Sequence, residues 1–295
     1  SAEYSLVPDD FVGVTPKVAV KEGDHVRAGD ALVGNKRFPE VGVASPVSGT
    51  VTAVVRGDRR KVLRVTVKAD AQQEYAEFGV KDPSKLDGAA VVKALLAAGL
   101  FGYIDQLPYA VSTTPDTMPK AIFVSALRDK PRQGDFELEL KGQEKDFQAG
   151  STALSRISRV HLGVCTQQTS QALLGAKNAE LPGCDGPWPA GNVGVQVNHL
   201  DPVNKGETVW TVDPTAVLFF GRLFNTGKVD LRRMVAVAGS EIKSPAYVEA
   251  LVGTPLKEII DGNVKSDRHV RLHNGNPLTG RIANDESVLG AHTSE

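Results

Sequence analysis

Val18-Ala19-Val20-Lys21-Glu22-Gly23-Asp24-His25-Val26-Arg27-Ala28-Gly29-Asp30-Ala31-Leu32 and, a short way on, Ala44-Ser45-Pro46-Val47-Ser48-Gly49-Thr50-Val51 alternate apolar with polar residues between turn signals. Gly23 and Gly29 each precede an aspartate, a pairing that serves a tight turn with φ > 0. Short alternating strands separated by such turns predict a small flattened β-barrel of the lipoyl/biotinyl kind. Barrels of this type carry a swinging cofactor on a lysine at a hairpin tip, so the intervening loop decides the chemistry. That loop reads Gly34-Asn35-Lys36-Arg37-Phe38-Pro39-Glu40-Val41-Gly42. Lys36 lacks the flanking methionines of a biotinyl hairpin and has a proline three residues on, so it reads as a solvated loop lysine.

The 295 residues are enough for two or three domains, each with its own core. Their 34 basic and 35 acidic side chains nearly cancel, so no strong net field invites nucleic acid or an anionic membrane surface, and nucleic acid is not expected as a partner. Cys165 and Cys184 are too few for a cysteine-ligated zinc or iron–sulfur site, and no metal site is expected. The longest apolar stretch, residues 89–104, is broken by Lys93 and glycines and falls short of a bilayer span. With no initiator methionine and no apolar leader, the chain reads as part of a longer polypeptide.

Three units follow from the patterning: a barrel over 1–70, an α/β domain over 71–228 and a third domain over 229–295. A polar stretch over 69–87 reads as a linker into a helix over 89–98 that stops at Gly99. Ala121–Val124 and Val160–Val164 read as buried strands, and 152–157 and 169–174 as helices, an alternation that predicts a mainly parallel sheet. Val209-Trp210-Thr211-Val212 runs into Asp213-Pro214, an N-cap with proline at the first helical position, and Gly227 ends that helix. In the third unit Met234–Gly239 and Tyr247–Ala250 read as strands. Thr254-Pro255 opens a short helix, His269–His273 is a strand, and Asn274-Gly275-Asn276-Pro277 is a turn. Strand, turn, strand and helix in this order predict a β-grasp module.

No Gly-x-Gly-x-x-Gly follows a strand and no Walker loop occurs, so direct dinucleotide binding by the usual motif is not expected. Ser125, Ser240 and the histidines show no nucleophile spacing, and no catalytic residue is assigned. His269 and His273 share a strand context, which places them too far apart for a metal pair. The loop containing Gly186, Pro187, Trp188, Pro189 and Gly191 is stiffened by its prolines and opened by its glycines. It is a candidate ligand or partner loop, or simply a rigid connection.

Taken in order, Asp10–Pro16, the two barrel segments, Ala121–Ala126, Gly186–Gly191, Phe220-Gly221-Arg222-Leu223-Phe224-Asn225-Thr226-Gly227 and Val235–Gly239 resemble the A subunits of Na+-translocating NADH:quinone reductases. The resemblance spans essentially the whole chain and lies in order and spacing. It implies a barrel-sandwich hybrid, a middle α/β domain similar to the flavin-binding subunit of complex I, and a soluble-ligand-binding β-grasp. It also implies that family segments at both ends lie outside this sequence. By the same resemblance the chain is a peripheral subunit on the cytoplasmic face of the membrane, with other subunits, especially one in the membrane, as partners. NADH, flavins and iron–sulfur centres are then held by those partners, with no covalent cofactor here and quinone as a ligand. An uncharged quinone head asks for apolar walls and one or two donors, which Phe11, Val12 and Gly13 with Leu107, Pro108 and Tyr109 offer. The family's basic run before the aromatic is absent from Asp105-Gln106-Leu107-Pro108-Tyr109. The alternatives are the C subunit of an Rnf electron-transport complex, a biotinyl or lipoyl carrier, and an adaptor that uses the barrel for contacts alone.

Overall fold

A computed structural model describes residues 2–107, 111–125, 140–163, 179–180, 207–237, 246–260, 272–274, 281–283 and 287–291. The first seven strands, β1 (Glu3–Leu6), β2 (Pro16–Val18), β3 (His25–Val26), β4 (Ala31–Asn35), β5 (Gly42–Ala44), β6 (Gly49–Arg56) and β7 (Val62–Ala69), form two sheets, β1-β7-β6-β3 and β2-β4-β5. The two glycine–aspartate turns make this barrel in the same way twice. Gly23 N donates to Val51 O and Val51 N to Asp24 O, while Gly29 N donates to Ser45 O and Ser45 N to Asp30 O. Both glycines sit at positive φ, +91° and +101°, and each aspartate carboxylate accepts the amide three residues back, from Lys21 and Arg27. Lys36 lies in a wide connection, since the last pair before it is Gly34 with Gly42.

The middle sheet has the order β12-β11-β10-β13-β8-β9, with β8 (Asp105–Leu107), β9 (Val111–Ser112), β10 (Ala121–Ser125), β11 (Arg159–Gly163), β12 (Ala179–Glu180) and β13 (Val209–Val212). β10 through β13 are parallel, and β8 and β9 add an antiparallel edge. Helix α1 (Gly88–Ala97) is capped by Asp87, whose carboxylate accepts from Ala90 N at 2.8 Å. The helix read over 152–157 begins earlier, so α2 runs Glu144–Ile157; its first half is polar and the apolar period shows only on its buried face. The helix read over 169–174 lies outside the described residues. α3 (Pro214–Thr226) starts at the Asp213 cap and stops at Gly227 with φ +74°, and it is buried from Pro214 to Phe224, including Thr215 and Arg222, whose polar groups are therefore hydrogen-bonded. α2 and α3 approach so closely that a Cβ on Gly221 would lie 1.6 Å from Asp146 O, and one on Gly150 2.1 Å from Val217 O.

The stretch read as a linker is instead fastened to both neighbours. Gln73 exchanges hydrogen bonds with the Ser48 backbone, Ala76 N donates to Ala28 O, Phe78 N to Gly227 O and Lys81 N to Phe224 O. Most of its side chains are exposed, as the polar composition suggests, while its backbone amides pair with the neighbouring units. In the third unit β14 (Arg232–Val237) and β15 (Ala246–Leu251) form an antiparallel pair, followed by α4 (Leu256–Ile259), with Leu256 buried beside Val235 and Leu289. Thr254 does not cap α4: its hydroxyl donates to Leu251 O and Pro255 holds the cap position. Asn274, read as a turn residue, ends β16 (Leu272–Asn274), which pairs with a strand the sequence pattern did not reveal, β17 (Arg281–Ala283). His269, Cys165 and Cys184 lie outside the described residues.

Candidate functional site

The N-terminal segment reaches the edge of the middle sheet through one turn of 3-10 helix, Pro8–Asp10, and a glycine turn at Gly13 with φ +81°. Ser112 N of β9 donates to Val12 O at 2.9 Å, and β9 pairs with β8 through Asp105↔Ser112 and Gln106↔Val111. The segment 11–13 is therefore tied to the hairpin that carries Leu107, itself paired with Val209. Pro108 and Tyr109, like Gly186, Pro187, Trp188, Pro189 and Gly191, lie outside the described residues. Phe11 faces inward at 2 % exposure, edge-on to Tyr103 with ring centroids 5.4 Å apart, and Tyr103 meets Phe219 at the same spacing. What the surface presents here is Val12, 57 % exposed, and the Gly13 turn.

Behind this surface the three units share a buried polar junction. Arg233, on β14, donates to Ala291 O at 3.0 Å and to the Thr215 hydroxyl of α3, while the Asp10 carboxylate accepts Ala291 N. Burial holds the Tyr103 hydroxyl well above the usual tyrosine range, opposed by Arg233 and reinforced by Asp10 and Asp213, so it stays protonated. A second junction centres on Arg222 of α3, which donates to Asp230 O, Arg232 O and the Gln143 side-chain amide. Burial alone would raise the Asp230 carboxyl, but the Arg232 fork at 2.9 and 2.6 Å and the charge of Arg222 hold it below its ordinary value.

Between the barrel and β15 lies a cleft of about 1020 Å³. Its walls include Tyr4, Val47, Tyr75, Leu231, Val248 and Leu251, and its charged lining is Asp70, Asp230, Glu249 and Glu258 against Arg232. Arg232 is already engaged by Asp230, so the free balance is negative. Burial raises the Tyr4 hydroxyl, and Glu258 adds to the shift. Such a lining suits neutral or cationic groups and repels a pyrophosphate. Sequence reading missed this cleft because its walls come from positions 4 to 258, with no local signal that they converge.

Comparison with known proteins bears on the same three units. Three family models match in order: "NqrA N-terminal barrel-sandwich hybrid domain" over 1–70, "NqrA second alpha/beta domain" over 86–229 and "NQRA C-terminal domain" over 234–285. The A subunit of the Na(+)-translocating NADH-quinone reductase of Hahella chejuensis is 32 % identical over 297 residues, covering 99 % of this chain and 66 % of that protein. The chain belongs to the NqrA family. The NqrA protein of Serratia proteamaculans is 32 % identical over 97 % of the chain, and that of Pseudomonas aeruginosa 33 % over 95 %. The chain spans 65 % and 63 % of those two NqrA proteins. The segment 220–227, one of the stretches that carries the family resemblance, has a structural reason in this fold. Gly221 lets α2 and α3 touch, Arg222 holds β14, Asn225 donates to Asp146, and Gly227 ends the helix.

Proposed function

We propose that the chain works as the peripheral NqrA component of a Na+-translocating NADH:quinone reductase, held on the cytoplasmic face of the membrane through partner subunits. The observation that carries this reading is the ordered match of all three units to one family, with about a third of positions identical over nearly the whole chain. Among the described residues no helix is long and apolar enough to cross a membrane, which supports attachment through partners, chiefly one embedded in the bilayer. The negative cleft supports leaving NADH to another subunit, and flavins and iron–sulfur centres go with it. The chain itself holds no covalent cofactor in this reading. Its domains divide at 70 and 228, with the middle one akin to the flavin-binding subunit of complex I and the last a β-grasp.

Within the complex, the chain contributes to assembly and to quinone contact. The hydrogen bond from Ser112 to Val12 supports a shared quinone surface of Val12, Gly13, Leu107, Pro108 and Tyr109, with Phe11 as the buried wall beneath it. The loop of Gly186, Pro187, Trp188, Pro189 and Gly191 is the proposed partner contact. The test is purification of the intact complex from native membranes, followed by a photoreactive quinone. Co-purification with an NADH-oxidising membrane complex, and label on residues 11–13 or 107–109, is the expected result. Elution of the chain without such partners removes the subunit reading, and label confined to other subunits removes the quinone surface alone.

A further inference from the structure

The β6–β7 hairpin is longer than the sheet that holds it. β1 pairs with β7 only from Val65 to Lys68, and β3 pairs with β6 only at Gly49 and Thr50, so the hairpin's far end, from about Val54 to Arg64, overhangs without a flanking strand in that sheet. This end reads Arg56-Gly57-Asp58-Arg59-Arg60-Lys61-Val62-Leu63-Arg64. The chain as a whole is nearly neutral, yet positive charge is concentrated here. Asp58 is the one acid in the stretch, and Lys61 reaches out to Asp9 at 3.0 Å. Arg59 and Arg60 are exposed, without a carboxylate partner among the described residues. Both are held in the left-handed region, at φ 55° and 62°, where glycine or asparagine sits without penalty. A turn that keeps two long cations at strained positions points to a use for the cations. Beside them Val55 and Leu63 are 40 % and 41 % exposed, although neighbouring Val62 and Val65 are buried.

We propose that this overhanging end docks on an anionic phospholipid bilayer. Basic side chains at a tip meet lipid headgroups, and two exposed aliphatic side chains on the same tip fit the boundary between headgroup and acyl chain. Nucleic acid is a poorer match, because the hairpin from Gly49 to Ala69 has no aromatic residue to stack on a base. An acidic protein patch would match the charge but leave Val55 and Leu63 without a role.

The experiment is co-sedimentation of the full chain with vesicles of phosphatidylcholine alone and with about one third phosphatidylglycerol, at low and high salt. Binding is expected to the anionic vesicles alone and to fade with salt. The double variant Arg59→Gly/Arg60→Gly keeps the backbone geometry and relieves its strain, so Tm stays level or rises while binding falls about 25-fold, about fivefold per charge. Val55→Ser/Leu63→Ser weakens binding but leaves its salt dependence. Absence of binding at low salt, equal binding to neutral vesicles, undiminished binding by the double glycine variant, or retention on immobilised polyglutamate in place of vesicles would each overturn the proposal.

Discussion

Replacing Gly221 by alanine sets two effects of opposite sign against each other. In a solvent-facing helix the change would gain about 1 kcal/mol of helix propensity. Here the new methyl lies 1.6 Å from the Asp146 carbonyl oxygen and 2.5 Å from its carbon, both backbone atoms of α2. Relief requires the helices to part by about 1.5 Å, which forfeits roughly a quarter or more of the dispersion contacts across the seam. Phe147 and Leu154 on α2 and Val217, Phe220 and Phe224 on α3 are all buried, with Val217 lying against Gly150 across the seam. At about 2 kcal/mol per buried side chain, that loss is roughly 3 kcal/mol, leaving a net destabilisation of about 2 kcal/mol. Thermal unfolding should show Tm lower by roughly 4–8 °C. Gly150→Ala strains the same seam, at 2.1 Å from Val217 O, so the double variant should cost less than the sum of the singles. A Tm at or above the parent for Gly221→Ala, or strictly additive losses, would refute the close-approach argument.

The His25 imidazole is hydrogen-bonded to Asp70 at 2.7 Å, which raises its pKa, with Glu74 and Asp30 adding to the shift. Its contribution is therefore full below the unfolded value of about 6.5 and disappears as pH rises through the folded one. His25→Gln should lower Tm most between about pH 5 and 6.5 and have no effect in alkaline buffer; a deficit that grows with pH would contradict the assignment. Lys36 lies outside a tight hairpin, its amide bonded to Thr15 O, and intact mass of protein from its native cells should carry no biotin or lipoate there. Calorimetric titration of the chain with NADH should give no saturable heat, whereas a stoichiometric signal would revive a nucleotide site in the middle domain.

Much of the fold was legible because its signals are local. Gly23-Asp24 and Gly29-Asp30 demand positive φ and a side-chain acceptor whatever surrounds them, and they built the barrel turns as read. Asp213-Pro214 and Gly227 bounded α3 for the same reason, since cap chemistry is decided within four residues. The family, too, was legible in the order of short segments. What sequence could not decide depends on partners far along the chain. Phe11 reads as a surface candidate until Tyr103, 92 positions on, closes over it, and the stretch 69–87 reads as a linker until Phe224 and Gly227 accept its amides. The cleft exists only because walls from positions 4 to 258 converge, and the overhang of β6–β7 because strands of unequal length meet. Turns and caps are fixed by backbone sterics and one nearby hydrogen bond, while burial and clefts are properties of surfaces that exist only once the chain has folded back on itself.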